Sequence, residues 1–274
     1  MLALLLLACA PTLDAPVEAP APAPTRAEAA HARLEATEGG RLLRQSIDAH
    51  GGLDTWYDAG GLRFTFAYVP AGKPEATRHT VNLVDIATSR VRQEQVGGDA
   101  VLGWDGEQAW IAPSEDAFPS SPRFWALTPY YFVGMPWVLA DPGTRHERLE
   151  DADLDGETMR RVKVSYDPGT GDAPDDYYVA WLDPEEHTLR ALTYIVSSPE
   201  VFPDGGHSPE KRLTYLQPVS VDGLQFAQRY EGFILDGSGR PTAPASTVTI
   251  TDIELHVPVS DATFQPVEGA VTGL

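Results

Sequence analysis

The chain has 274 residues and carries 20 lysines and arginines against 40 aspartates and glutamates, a formal net charge of −20 at neutral pH. This charge argues against nucleic-acid binding, which needs a basic surface, and against electrostatic attraction to anionic membranes. A single cysteine excludes an internal disulfide, a cysteine zinc cluster and a CxxC pair. Hydrophobic residues make up 42% of the chain, and the length suits one large all-β domain or two ordinary ones, so a substantial core is expected.

The N-terminus has the features of a secretion signal followed by a lipidation site. Residues 1–8, MLALLLLA, are apolar but too short to span a bilayer, so we interpret them as a signal peptide. Leu6-Leu7-Ala8-Cys9 resembles the bacterial lipobox and predicts a lipid on Cys9, which would anchor the protein to a membrane. No Lys or Arg precedes the apolar run, and the alternative is a short apolar start with a chance cysteine.

An Ala/Pro-rich segment follows the predicted lipidation site. Residues 10–25 include five Ala and five Pro, a composition that favours extended polyproline II over a packed core. We therefore expect a lipidated cysteine and tether over 9–26 and a single domain over 27–274. Ala10 stands where lipoproteins retained in the inner membrane often carry Asp, so the expected location is the outer membrane, facing the periplasm.

Residues 27–50 have helical spacing, and Gly39-Gly40 is expected to break them into two pieces. His50-Gly51-Gly52 is expected to end this region, because glycine after a helix allows a left-handed cap.

From residue 62 the hydrophobic period changes to two, because Leu62, Phe64, Phe66 and Tyr68 alternate with smaller or polar residues. Ten further strand-like runs follow, and Asp105-Gly106 and Asp222-Gly223 are among the turn signals between them. We therefore predict a mainly β protein with about eleven antiparallel strands in one sheet.

The most aromatic stretch of the chain, residues 122–140, departs from the strand pattern. Ser121-Pro122 is a good helix start, and Pro129 and Pro136 interrupt the segment, which predicts one or two short kinked helices. We expect its aromatic side chains to cover the hollow of the sheet, either as the wall of an apolar pocket or simply as core.

Trp56 and five segments are informative when they are taken together, in their order along the chain. The segments are AHGG (49–52), WDGEQAW (104–110), YYFVGMPWVLADPGT (130–144), DDYYVAWLDPEEHTLRALTY (175–194) and TDIELHVPVSDATFQPV (251–267). In these residues the chain resembles an uncharacterised family of bacterial lipoproteins. That family is related in fold to the lipoprotein-localisation factors, the LolA/LolB-like superfamily. The resemblance implies an open half-barrel, with helices lying across a hollow that binds acyl chains or another apolar ligand. It implies no catalytic residues. The carriers use a buried arginine, and no motif distinguishes its equivalent among Arg63, Arg78, Arg90 and Arg92.

Signals for metal binding or catalysis are weak. Asp151, Asp153 and Asp155 copy the first half of a calcium loop, but Val162 stands at its twelfth position, and an acidic hairpin explains them better. His50-Gly51-Gly52 is similar to an esterase oxyanion-hole segment without any G-x-S-x-G nucleophile, so we interpret it as a helix cap. We predict no cofactor and no metal.

Our first hypothesis is a non-catalytic, lipid-anchored envelope protein that binds a lipid or acyl chain, with burial of apolar surface supplying the affinity. The second is a structural lipoprotein with a filled core and an acidic surface that meets a protein partner, and the third is an envelope hydrolase. The predicted pocket lining, which depends on the strand phase, is Phe64, Phe66, Trp110, Trp125, Tyr131, Trp137 and Trp181.

Overall fold

The structure is a computed structural model that describes residues 25–118, 121–173 and 175–274. The predicted signal peptide, Cys9 and residues 10–24 of the tether lie outside the described residues. Five α-helices occur in the described part of the chain: α1 (Arg26–Glu35), α2 (Glu38–Ala49), α3 (Leu53–Asp58), α4 (Pro122–Val133) and α5 (Asp261–Phe264). Short 3₁₀ helices cover Pro74–Ala76, Glu115–Ala117 and Trp137–Ala140. No helix among these residues has the length and apolar content that a membrane span requires.

The strands form the greater part of the fold. In chain order they are β1 (Gly61–Pro70), β2 (Arg78–Asp85), β3 (Arg90–Gln95), β4 (Val101–Trp104), β5 (Ala109–Ala112), β6 (Thr144–Leu154), β7 (Glu157–Tyr166), β8 (Tyr178–Leu182), β9 (Leu189–Tyr194), β10 (Lys211–Val221), β11 (Leu224–Leu235), β12 (Pro241–Leu255) and β13 (Val271–Thr272).

These strands build one antiparallel sheet that does not close on itself. Its order is β13-β5-β4-β3-β2-β1-β12-β11-β10-β9-β8-β7-β6, so β13 and β6 are the two edges. Most neighbours are joined by hairpins, and β12 joins the two meanders by pairing with both β1 and β11. The predicted open half-barrel with a mainly β composition is therefore confirmed, with thirteen strands in place of eleven in the described chain.

The two unpredicted strands are the edge strands, for a physical reason. β6 (TRHERLEDADL) is mostly polar and charged, and an edge strand of this composition resists pairing with other chains. It therefore lacks the apolar alternation that identifies a central strand. β13 has only two residues, which pair with Ile111 and Trp110 of β5.

The expected helix break at Gly39-Gly40 is wrong. The chain turns at Ala36-Thr37 instead, and the Thr37 side chain accepts a hydrogen bond from Gly40 N at 3.0 Å to begin α2. The two glycines allow close approach: a Cβ on Gly40 would lie 2.2 Å from Leu34 O, and one on Gly39 2.8 Å from Arg148 N. Short α3, which follows the predicted cap at His50-Gly51, was also not expected.

Helices α1 to α4 and the 3₁₀ turn Trp137–Ala140 occupy the concave face of the sheet and divide its hollow into two parts, whereas α5 lies on the outer face. The first, which we call the filled half, lies beneath α1, α2, α3 and Trp137–Ala140. There the Trp56 and Trp137 rings stack 4.6 Å apart, Trp56 stacks on Tyr130 at 6.3 Å, and Trp137 packs on Phe226 at 5.2 Å. The second part, the open half, lies beneath α4 and contains a cavity.

Candidate functional site

The candidate site is a cavity of about 410 Å³ between α4 and strands β1 and β7 to β10. This volume lies within the range of small-molecule binding pockets. One wall is a stripe of α4 at helical spacing, formed by Phe124, Leu127, Thr128, Tyr131 and Phe132. The connections between β7 and β8 (residues 170–173 and 176) and between β9 and β10 (residues 195–208) supply the remaining wall.

Tyrosines dominate the lining of the cavity. Six of the ten tyrosines of the chain contribute to it, Tyr131 from α4 and the other five from the sheet: Tyr68, Tyr166, Tyr178, Tyr194 and Tyr215. Burial raises the pKa of Tyr131 to about 12 and raises the pKa values of Tyr178 and Tyr194 above their ordinary range. These phenols therefore stay neutral at physiological pH, so the wall combines apolar rings with uncharged hydroxyl groups.

The α4 helix is fixed over the cavity by groups that compensate for its internal proline. Ser121 caps the helix by accepting a hydrogen bond from Phe124 N at 3.2 Å, as the Ser-Pro start predicts. Pro129 has no N–H to donate to the Trp125 carbonyl four residues earlier. The buried side chain of Gln93 donates to Trp125 O at 2.7 Å and to Ala126 O at 2.9 Å, which satisfies this freed carbonyl.

A buried arginine supports the same helix. Arg78 is 2% exposed, and its guanidinium lies 4.4 Å from the Phe118 ring centroid and 4.6 Å from that of Trp125. Desolvation lowers the pKa of Arg78 to about 9. Of the four arginines considered from sequence, Arg78 is the buried one, whereas Arg63 and Arg92 border a smaller depression on the opposite face of the sheet.

Two polar contacts join the N-terminal end of α4 to the loops across the cavity. Arg123 pairs with Asp172 of the β7–β8 connection at 2.6 Å, and Ser121 Oγ donates to Glu200 of the β9–β10 connection at 3.0 Å. Arg123 also lies 4.0 Å from the Trp104 ring centroid. We call the Arg123–Asp172 and Ser121–Glu200 contacts the latch.

The structure places the seven residues of the predicted lining in three different environments. Trp125 and Tyr131 line the cavity. Phe64, Phe66 and Trp137 point into the hollow but are fully buried in packed core and do not line the cavity.

The other two belong to the outer face of the sheet, because their strand phase differs by one residue from the expected one. Trp110 of β5 is the cross-strand partner of Gly103 on β4, which is in turn the partner of Arg92 on β3, so the three residues lie on the same face of the sheet. The Trp110 indole N–H donates to Phe264 O of α5 at 2.9 Å. Trp181 packs on the small cluster of Leu154, Met159 and Ala191. Sequence reasoning missed Tyr178, Tyr194 and Tyr215, although each lies in a predicted strand.

The predicted acidic hairpin is present at the β6–β7 turn. Asp155 and Gly156 have positive φ values of 55° and 97°, and Asp153 accepts a hydrogen bond from Gly156 N at 3.1 Å. Asp151 pairs with Arg148, and Asp155 pairs with Arg212 at 2.9 Å. The three carboxylates are thus engaged separately, and the described residues contain no cluster of three metal-ligating side chains.

The histidines offer no catalytic pair at the cavity. His50 is the C-cap of α2 and bonds to Ser46 O through Nδ1 at 2.8 Å, so His50-Gly51-Gly52 ends a helix as predicted. Within the described ranges, the one histidine–carboxylate ion pair joins His31 Nε2 to Asp54 Oδ2 at 3.7 Å, and that carboxylate is 80% exposed.

Comparison with solved structures identifies the fold. The chain is similar to a LolA superfamily protein from Nitrosomonas europaea (11% identity, 84% of this chain and 98% of the other, TM-score 0.53). It is also similar to a DUF1329 family protein from Desulfovibrio piger (11% identity, 83% and 97%, TM-score 0.51). A third similar structure is a putative outer membrane lipoprotein-sorting protein domain from Vibrio parahaemolyticus (11% identity, 86% and 97%, TM-score 0.50).

No protein-family model and no curated protein matches the sequence. The likeness is therefore one of structure at very low sequence identity, and it covers most of this chain and nearly all of each of the three solved structures. The chain therefore shares its fold with these solved structures, a LolA superfamily protein among them, and the half-barrel that the sequence resemblance implied is confirmed.

Proposed function

We propose that this protein is a lipid-anchored envelope protein that binds a lipid or acyl chain, without catalysis, in the cavity beneath α4. The observation that carries the proposal is the cavity itself: about 410 Å³ of space with an aromatic lining, in a hollow whose other half is filled by side chains. Transfer of an apolar chain into such a space is favourable by about 25 cal/mol for each Å² removed from water. The fold shared with a lipoprotein-sorting domain supports the same ligand class.

The test uses detergent-free protein purified from a bacterial periplasm and mass spectrometry of its organic extract. We expect a near-stoichiometric lipid in the wild-type protein. Thr128→Trp places an indole into the cavity from α4 and is expected to remove most of that lipid, whereas Thr158→Trp, at an exposed site on β7, is expected to retain it. An empty wild-type protein that also takes up no added acyl chain would contradict the proposal.

Anchoring through Cys9 is a separate part of the proposal. The apolar run, the lone cysteine and the Ala/Pro-rich segment after it support this assignment. Metabolic labelling with an alkyne fatty acid is expected to label the wild-type protein in the membrane fraction, and Cys9→Ser is expected to abolish the label. Equal labelling of both proteins would contradict lipidation at Cys9.

A structural protein that meets a partner through its acidic surface is the second candidate function. The filled half of the hollow favours it, because fully buried, stacked rings such as Trp56 and Trp137 occupy that space. The extraction experiment separates the two functions, since a scaffold needs no bound lipid.

A further inference from the structure

Lys211 lies at the end of the cavity formed by the strand termini. Lys211 is the first residue of β10 and pairs with Tyr194, the last residue of β9. Tyr194 in turn pairs with Tyr178, the first residue of β8. All three side chains line the cavity. The adjoining β7–β8 and β9–β10 connections border the same end, so an amine stands where the tyrosine row meets the loops.

The charges around the cavity are paired or hydrogen-bonded, with Lys211 as the exception. Asp172 is paired with Arg123, and Asp176 accepts a hydrogen bond from Ser197 N at 2.6 Å. In the part of the chain that the structure describes, the side chain of Lys211 makes no ion pair and no hydrogen bond. Burial lowers the pKa of its ammonium group below the ordinary value. Lys211 is half-buried, and a cation that is partly withdrawn from water without a partner is destabilised, so a bound anion would offset part of that cost.

The cavity changes character along β10. Lys211, Leu213 and Tyr215 alternate on one face, so the wall runs from an ammonium group through an aliphatic side chain to an aromatic ring. The first and the last are four residue steps apart along the strand, a distance of about 13 Å. At the far end the Tyr215 ring packs on Tyr230 at 5.0 Å, and Tyr230 contacts Phe132 at 5.9 Å. A chain with one anionic end matches this order.

We propose that the ligand is an acyl chain with an anionic headgroup, a carboxylate or phosphate that pairs with Lys211 while the chain extends along β10 toward Tyr215. This inference rests on the proposed function and names its ligand class. It also explains how a protein of net charge −20 can receive an anion: the attraction is local, since Lys211 is a positive group inside the cavity and long-range repulsion is screened by salt beyond about 8 Å.

The test is isothermal titration calorimetry on the full chain carrying Cys9→Ser, which removes the acyl chain predicted at Cys9. The probes are dodecanoate, dodecyl phosphate and dodecan-1-ol, with acetate and inorganic phosphate as anions that lack a chain. We expect the wild-type cavity to bind the two anionic amphiphiles at least ten-fold more tightly than the alcohol, as for a hydrogen bond to a charged group. Acetate and phosphate are expected to bind too weakly to measure.

The variants separate the headgroup contact from the cavity. Lys211→Met is expected to abolish the ten-fold preference for the anionic amphiphiles over the alcohol, and Lys211→Arg is expected to keep the preference. Lys73→Met removes the same charge at an exposed position outside the cavity and is expected to behave as wild type.

The outcomes have distinct meanings. Equal affinity for dodecanoate and dodecanol, or an undiminished preference in Lys211→Met, would overturn the headgroup inference while leaving the binding function intact. Tight binding of phosphate or acetate alone would overturn it as well, since the site would then recognise a free anion. If no probe with a chain binds, the proposed function fails first.

Discussion

The two halves of the hollow are built from the same sheet and similar aromatic residues, yet one is filled and the other is open. In the filled half, three helices and Trp137–Ala140 bring rings into contact, with Trp56 between Trp137 and Tyr130. In the open half, the single helix α4 spans a wall of tyrosines and leaves about 410 Å³. The difference lies in the number of covering elements, and it separates the part that stabilises the fold from the part that can accept a ligand.

The largest expected effect is in the filled half. Trp56→Ala removes a ring that is 1% exposed and stacked on two others, so we expect the free energy of unfolding to fall by about 3–5 kcal/mol. Urea denaturation measures this change. Trp181→Ala, on the outer face, is the matched control and is expected to cost clearly less. Equal losses in the two variants would contradict the division of the hollow.

The next effect concerns the junction between α4 and the sheet. Gln93→Leu leaves the Trp125 carbonyl without a donor, because Pro129 cannot supply one, and we expect a loss of about 1–3 kcal/mol in unfolding free energy. Gln95→Leu is the control, because it removes the same side-chain amide two residues further along the strand, at a more exposed position. If Gln93→Leu unfolds at the wild-type urea concentration, the Gln93 contacts do not hold α4 over the cavity.

The filled half also predicts a pH dependence. Burial lowers the pKa values of His50 and His146 below the ordinary 6.5, so the unfolded chain binds more protons than the folded one as pH falls below 6.5. The stability associated with the neutral imidazoles is therefore present above pH 6.5 and is lost as pH falls toward the lowered values.

Urea midpoints at pH 7.5 and 5.5 measure this dependence. We expect the double variant His50→Asn/His146→Asn to show a smaller drop in midpoint than the wild type, although the double variant is itself less stable at pH 7.5. The exposed His79→Asn is expected to show the wild-type drop. A double variant with an unchanged drop would assign the pH dependence to other groups.

The smallest effect on stability is expected at the latch. Arg123→Ala breaks the pair with Asp172, which is 49% exposed, so we expect a change of less than about 1 kcal/mol in unfolding free energy. Stopped-flow displacement of bound dodecanoate is nevertheless expected to be faster, because α4 is freed from the β7–β8 connection. Arg63→Ala, which breaks a surface pair with Glu254 on the outer face, should leave the displacement rate unchanged. Equal rates in all three proteins would mean that the latch does not control exchange.

The sequence predicts the sheet well because most central strands carry period-two alternation and end at turn signals. It also predicts the start of α4, since Ser121 and Pro122 act locally. The edge strand β6 was missed because its charged side chains remove the alternation that marks a buried face.

The candidate site was harder to predict because lining a cavity is a property of packing between distant elements. Phe64 and Phe66 have the expected inward phase, but both are fully buried, and the Phe132 ring of α4 packs on Phe66. Trp110 and Trp181 follow the opposite phase, which a one-residue shift produces. Tyr178, Tyr194 and Tyr215 were accessible to sequence reasoning, since the inward phase of three predicted strands brings tyrosine to the same face.

The most direct test of the account is tryptophan quenching by a brominated acyl chain, because it reports which half of the hollow holds the ligand. We expect bromododecanoate to quench the fluorescence of the wild-type protein and of Trp137→Phe. Trp125→Phe removes the indole that lines the cavity and is expected to lose most of that quenching while still binding dodecanoate by calorimetry. Quenching that persists in Trp125→Phe and disappears in Trp137→Phe would place the chain in the filled half and contradict the account.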